Sequence, residues 1–124
     1  MATPKQVVTV WAWMVSLFLV IVGLIGLFTE NIGSLPTNRV HALGTNLVPG
    51  VIGIAFARFD AQRLYVLLVG IGMLVLAVLG FLPQTQPWLY EQLHMNIAES
   101  IFEAVSGVIS LAIWLYSGAT NRVS

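Results

Sequence analysis

The chain has 124 residues, of which 58% are hydrophobic and 8% charged, with a formal net charge of zero and no cysteine. A soluble domain carries about 25% charged residues, so this composition excludes an ordinary water-soluble fold and points to an integral membrane protein. Neutral charge gives no basis for a nucleic-acid partner, and the missing cysteine excludes disulfides, thiolate metal sites and cysteine nucleophiles.

Four apolar stretches follow one another, over 7–28, 41–57, 64–82 and 96–116. Each is about as long as the roughly 20 residues that cross a hydrocarbon core. Their apolar runs are continuous rather than alternating, which predicts helices, and lipid admits only helices and closed barrels. The expected fold is therefore all-α: a polytopic four-helix transmembrane bundle forming one domain over 1–124. The first stretch is longer than the 7–15 apolar residues of a signal peptide, and no A-x-A-like site follows "GLFTENIG", so it reads as a retained span.

Four spans put the N-terminus, the "RFDAQR" loop and the C-terminus on one side, with Lys5, Arg58, Arg63 and Arg122. The other side holds Arg39. The positive-inside rule then places both termini in the cytoplasm. Trp11, Trp13, Tyr65, Trp114 and Tyr116 fall near the inner boundary in this frame, and Trp88 and Tyr90 near the outer one. The short "RFDAQR" loop predicts that spans two and three pack as an antiparallel pair.

The outer connections are longer. "TENIGSLPTNR" has turn chemistry. In "PQTQPWLYEQLH", Pro87 suits a first helical position; the segment 87–95 reads either as the projecting start of the fourth helix or as an interfacial piece. "VGLIGLFTENIG" parallels "LAVLGFLPQTQP", and Asn38 and Asn96 each open the following span, a pattern that two repeated helical hairpins would produce.

Small residues mark helix contacts in lipid. Span two offers Ala42, Asn46, Gly50, Gly53 and Ala57; span one Ser16, Gly23 and Gly26; span three Gly72 and Gly80. Pro49 lacks an N–H for the Thr45 carbonyl and is expected to kink span two. His41 and Thr45 share its face.

In span four, Asn96, Glu99, Glu103, Ser106 and Ser110 form one stripe at about 100° per residue. Ile101, Val105 and Ile109 lie opposite. An acidic side chain facing lipid costs roughly 2.5–3.5 kcal/mol at the centre of a span, so the stripe is expected to face the other helices. Proton uptake by Glu103, the helix N-terminus near Glu99, or pairing with span two would offset that cost. The pairings expected are Arg39–Glu99 or His41–Glu103. The candidate polar cluster is thus Asn38, Arg39, His41, Thr45, Asn96, Glu99 and Glu103. His94 lies about half a turn from Glu103 and reads as an interfacial residue.

"NRVHAL" and "NIAESIFEAVSG" resemble the openings of spans two and four in small bacterial four-span membrane proteins of unknown function. Members tend to carry Asn-x-x-His at the first position, and Asn-x-Ala-Asp followed by Leu-His at the second. Asn38 and His41 match the first motif, and Asn96 and Ala98 the second; Glu99 replaces the Asp and Glu103 the second His. The resemblance implies a bacterial inner, intracytoplasmic or thylakoid-type membrane.

No enzyme motif is present, and the expected role is a non-catalytic accessory subunit of a larger complex, with the lipid bilayer and other integral membrane subunits as partners. Two other readings compete. His41 could hold a chlorophyll-type pigment or haem in a photosynthetic or respiratory complex, although the sequence requires no cofactor. Glu99 and Glu103 could serve a proton-linked carrier.

Overall fold

The computed structural model describes residues 3–32 and 35–121. Arg122, part of the charge asymmetry above, lies outside the described residues. The fold is helical throughout its long elements: α1 (Pro4–Gly26), α2 (Val48–Arg58), α3 (Gln62–Phe81), α4 (Gln86–Leu93) and α5 (Ile97–Asn121). A π-helix, His41–Leu47, leads directly into α2. Two short antiparallel strands, β1 (Asn31–Ile32) and β2 (Leu35–Pro36), pair Asn31 with Pro36 after α1. Among the described residues, three helices are long and apolar enough to cross a membrane: Pro4–Gly26, Gln62–Phe81 and Ile97–Gly118.

Local chemistry explains several boundaries. Thr3 caps α1: its hydroxyl accepts the Gln6 N–H at 3.1 Å and the Gln6 side chain accepts the Thr3 N–H at 2.8 Å, a complete capping box with Pro4 behind it. Around Pro49 the regular α-helix gives way one turn earlier. The turn before it is widened to i→i+5 bonding, with the Val48 N–H donating to the Leu43 carbonyl. Pro49 thereby falls in the first turn of α2, where a missing N–H costs least. The Pro49 carbonyl accepts the Tyr65 hydroxyl at 3.0 Å, which ties α2 to α3.

The helices associate in two closely packed pairs. α1 lies against the π-helix and α2, and α3 lies against α5; α2 and α3, expected to pack as a pair, do meet, over a smaller contact than either. The short "RFDAQR" connection makes α2 and α3 neighbours in sequence, but small residues decide who packs closest. A Cβ at Gly23 would sit 2.7 Å from the Leu47 backbone nitrogen, and one at Gly50 would sit 2.8 Å from the Ser16 carbonyl. Across the other pair, a Cβ at Gly107 would sit 3.1 Å from the Gly70 carbonyl. Gly72, expected at an interface, has nothing within 4 Å; Gly70, two residues earlier, is the one that meets α5. An apolar core of Val8, Ala12, Val15, Leu19, Tyr65, Val66 and Met73 fills the space between the pairs.

The stretches that parallel each other in sequence end differently. One leads into β1 and β2, the other into α4. The break after α4 falls at His94, a left-handed residue (φ 56°) stacked on Tyr90 at 5.6 Å. The segment 87–95 is accordingly a separate short helix rather than an extension of α5.

Candidate polar site at the helix ends

Two asparagines stand at equivalent places. Asn38 Oδ1 accepts the His41 N–H at 2.8 Å, and Asn96 Oδ1 accepts the Glu99 N–H at 3.0 Å. Each spares a helix start an unsatisfied donor and sets the residue three positions on at a defined point of the first turn. Those two residues, His41 and Glu99, face each other.

The remaining donors of Asn38 and His41 serve a third element. Asn38 Nδ2 donates to the Gln92 carbonyl at 2.8 Å, and His41 Nδ1 lies 3.0 Å from the Leu93 carbonyl. A carbonyl only accepts, so Nδ1 carries the proton and Nε2 the lone pair in the neutral ring. These bonds satisfy carbonyls at the end of α4, which would otherwise lack partners. Thr45 closes the local set by donating its hydroxyl to the His41 carbonyl at 2.6 Å.

Glu99 Oε2 is 3.6 Å from His41 Nδ1, with side chains 9% and 8% exposed. That distance exceeds hydrogen-bond range, because the Nδ1 proton is directed to Leu93. Glu99 Oε2 is left buried without a hydrogen bond. The observed contact is therefore His41–Glu99, a crossing of the two pairings expected from sequence. Arg39 is exposed. It lines a separate surface recess of about 450 Å³ with Glu30 and His94, and no ion pair joins it to Glu99 among the described residues. The physical reason is angular: Arg39 precedes His41 by two residues, about 200° of helix, so both cannot face α5.

Glu103 is 9% exposed and sits between two cavities. One, of about 260 Å³, is bordered by Phe18, Thr37, His41, Asn46, Glu99 and Glu103. The other, of about 560 Å³, lies between α2 and α3 along Thr45, Pro49, Tyr65 and Met73 and also reaches Glu103. Further along the same face of α5, Ser110 accepts the Trp11 indole N–H at 2.8 Å. Ile101 and Val105, on the opposite face, are 51% and 54% exposed.

Thr37, only 2% exposed, and Asn46 border the first cavity but were not in the expected cluster. The small-residue spacing of span two places Asn46 at a packing contact; its amide is the signal for a polar role. Among the described residues, no three His, Cys, Asp or Glu side chains converge as metal ligands.

A second polar group occupies the opposite end. Lys5 pairs with Asp60 at 3.3 Å, and Gln62 Nε2 donates to Thr9 Oγ1 at 2.9 Å and to Asp60 Oδ1 at 3.1 Å. The hydrogen bond from Gln62, followed by those of Lys5, holds the exposed Asp60 carboxyl below its ordinary pKa of 3.8. Arg63 lies over the Trp114 ring at 4.7 Å and donates to Ser117 Oγ at 3.0 Å and the Trp114 carbonyl at 3.1 Å.

No curated protein and no solved structure matches the chain. Residues 9–116 match the family described as a domain of unknown function, DUF4383. With most of its length matched, and with Asn38, His41, Asn96, Glu99 and Glu103 inside the matched region, the chain belongs to the DUF4383 family.

Proposed function

We propose that the chain is a four-span integral membrane protein of a bacterial membrane, with both termini cytoplasmic. In this reading it acts as a non-catalytic accessory subunit of a larger membrane assembly. The π-helix and α2 run head to tail over 41–58 beside α1, which supports counting them as a fourth crossing with the three long helices. Asn38 and Asn96 at the starts of the second and fourth crossings support two related hairpins.

The observation that carries the accessory role is the use made of the polar side chains. Asn38 and His41 fasten the carbonyl end of α4, and Asn96 caps α5. These groups hold helix ends in place, as expected of a scaffold whose outer faces meet lipid and other subunits. The cavity beside His41, at about 260 Å³, favours a body smaller than a tetrapyrrole, since drug-sized ligands already occupy about 300–1,000 Å³.

Two experiments test the reading. The chain, tagged in its native membrane and solubilised in digitonin, is expected to migrate in a complex containing a second integral membrane protein at fixed ratio. Migration alone, or with copies of itself only, would overturn the role. Topology is tested by single cysteines, since the natural chain has none. Asn31→Cys is expected to react with an impermeant maleimide on intact cells, and Asp60→Cys only after permeabilisation; the reverse pattern would overturn the orientation.

A further inference from the structure

We propose that the cavity bordered by Glu99 and Glu103 is a binding site for a small lipophilic amine in its ammonium form. The cavity is walled mainly by apolar side chains and holds about 260 Å³. Its two carboxyl side chains sit one helical turn apart on α5, and both are nine-tenths buried. Neither carboxyl group takes part in a hydrogen bond among the described residues, and Glu99 Oε2 is buried without one. Buried acceptors of this kind carry a desolvation cost until a donor reaches them.

Among the described residues, no side chain donates to Glu99 Oε2. The Nδ1 proton of His41 is directed to the Leu93 carbonyl, and Arg39 faces a different recess. Among the described residues, no lysine or arginine borders the cavity. A ligand that brings N–H donors and positive charge complements this unpartnered acceptor and the second carboxyl group beside it.

The walls add a second preference. Phe18 and Phe102 both border the cavity, with ring centroids 5.5 Å apart. Aromatic faces attract an ammonium group and accept an apolar body equally well. Asn46 also borders the cavity, and its amide oxygen can accept from an ammonium group. Carboxylate, amide oxygen and two phenyl rings in a compact apolar space form a recognition set for an ammonium group on a small hydrocarbon body. The neighbouring space between α2 and α3, about 560 Å³ and also reaching Glu103, gives a longer body room to extend.

The test compares 1-adamantylamine with 1-adamantanol, which share a compact shape and differ in charge and in donor number. Each, radiolabelled, is equilibrated with the full chain in phosphatidylcholine nanodiscs, and retention by empty nanodiscs is subtracted. The amine is expected to show a saturable component of one molecule per chain, and the alcohol at least about tenfold weaker retention, the range of a hydrogen bond to a charged group. Glu103→Gln is expected to weaken amine binding by about tenfold or more, while Glu91→Gln on α4 leaves it unchanged. Equal retention of amine and alcohol by the unaltered chain would overturn the ammonium assignment without any variant having to fold. A lack of saturable amine binding would overturn the site. Full amine binding by a helical, monodisperse Glu103→Gln variant would remove Glu103 from it.

Discussion

The closest test of the packing is a single methyl group placed at Gly50. An added Cβ there would sit 2.7 Å from Val20 Cγ2 and 2.8 Å from both the Ser16 carbonyl oxygen and the Val20 nitrogen. Two of those atoms are backbone, so α1 and α2 must move apart. Overpacking of this kind costs about 1–3 kcal/mol. Alanine gains up to about 1 kcal/mol over glycine in a helix, which partly masks the loss. Gly72→Ala supplies the correction: it has nothing within 4 Å and keeps only the helix-propensity gain. Gly50→Ala is therefore expected to be less stable than Gly72→Ala by about 1–3 kcal/mol, the propensity term being common to both. Unfolding in mixed dodecyl maltoside and dodecyl sulfate micelles, followed by far-UV circular dichroism, measures the difference. Two variants within about 0.5 kcal/mol of each other, the range of neutral surface changes, would refute the close approach of α1 and α2.

Asn38→Ala removes a helix cap and a bond to the Gln92 carbonyl; a stability loss of about 1–2 kcal/mol is expected, with hydrogen exchange rising in α4 as well as in the π-helix. Exchange confined to the π-helix would show that α4 is held by other means. Arg63→Lys keeps the charge but loses the planar stack on Trp114 and one of two fixed donors; the expected cost is about 1 kcal/mol, read by the same unfolding assay, and no change would dismiss the stack. Asp60, with a folded-state pKa below 3.8, binds its proton less readily folded than unfolded. Its contribution is full above the unfolded value and is lost as pH falls through the folded one. Stability is thus expected to drop below about pH 4 in the natural chain, by a small step absent from Asp60→Asn; identical acid profiles would remove the Gln62 and Lys5 contacts as its cause.

Hydropathy made the apolar helices readable, because lipid imposes length and continuity on each. The buried stripe of α5 was readable for a related reason: a carboxylate has only one tolerable direction, and 100° per residue then sorts Ile101 and Val105 from Glu99 and Glu103. Relations between helices were harder to read. His41 meets Glu99 rather than Glu103 because axial register is set by how the helices pack on one another, which spacing along one chain does not express. Gly70 and Gly72 illustrate the same limit. They lie about 200° apart on α3, so only one can face α5, and composition does not choose between them. The wider turn before Pro49 is not legible in the sequence, because a missing N–H does not specify how the preceding turn rearranges.

That wider turn has a consequence for chain length. Between His41 and Leu47 the backbone takes up more residues per revolution than an α-helix would, so it works as a phase corrector between two surfaces that must be aligned at once. Below it, Gly50 and Gly53 nest against α1; above it, Asn38 and His41 engage the carbonyl end of α4. If ordinary α-helical winding returned with every residue kept, the upper surface would swing by about 100° relative to the lower; removing one residue of the turn at the same time, such as Gly44, where an added Cβ would meet nothing within 4 Å, would bring the two surfaces back nearly into phase. The number of residues in that revolution, more than the identity of any one, keeps both alignments in step.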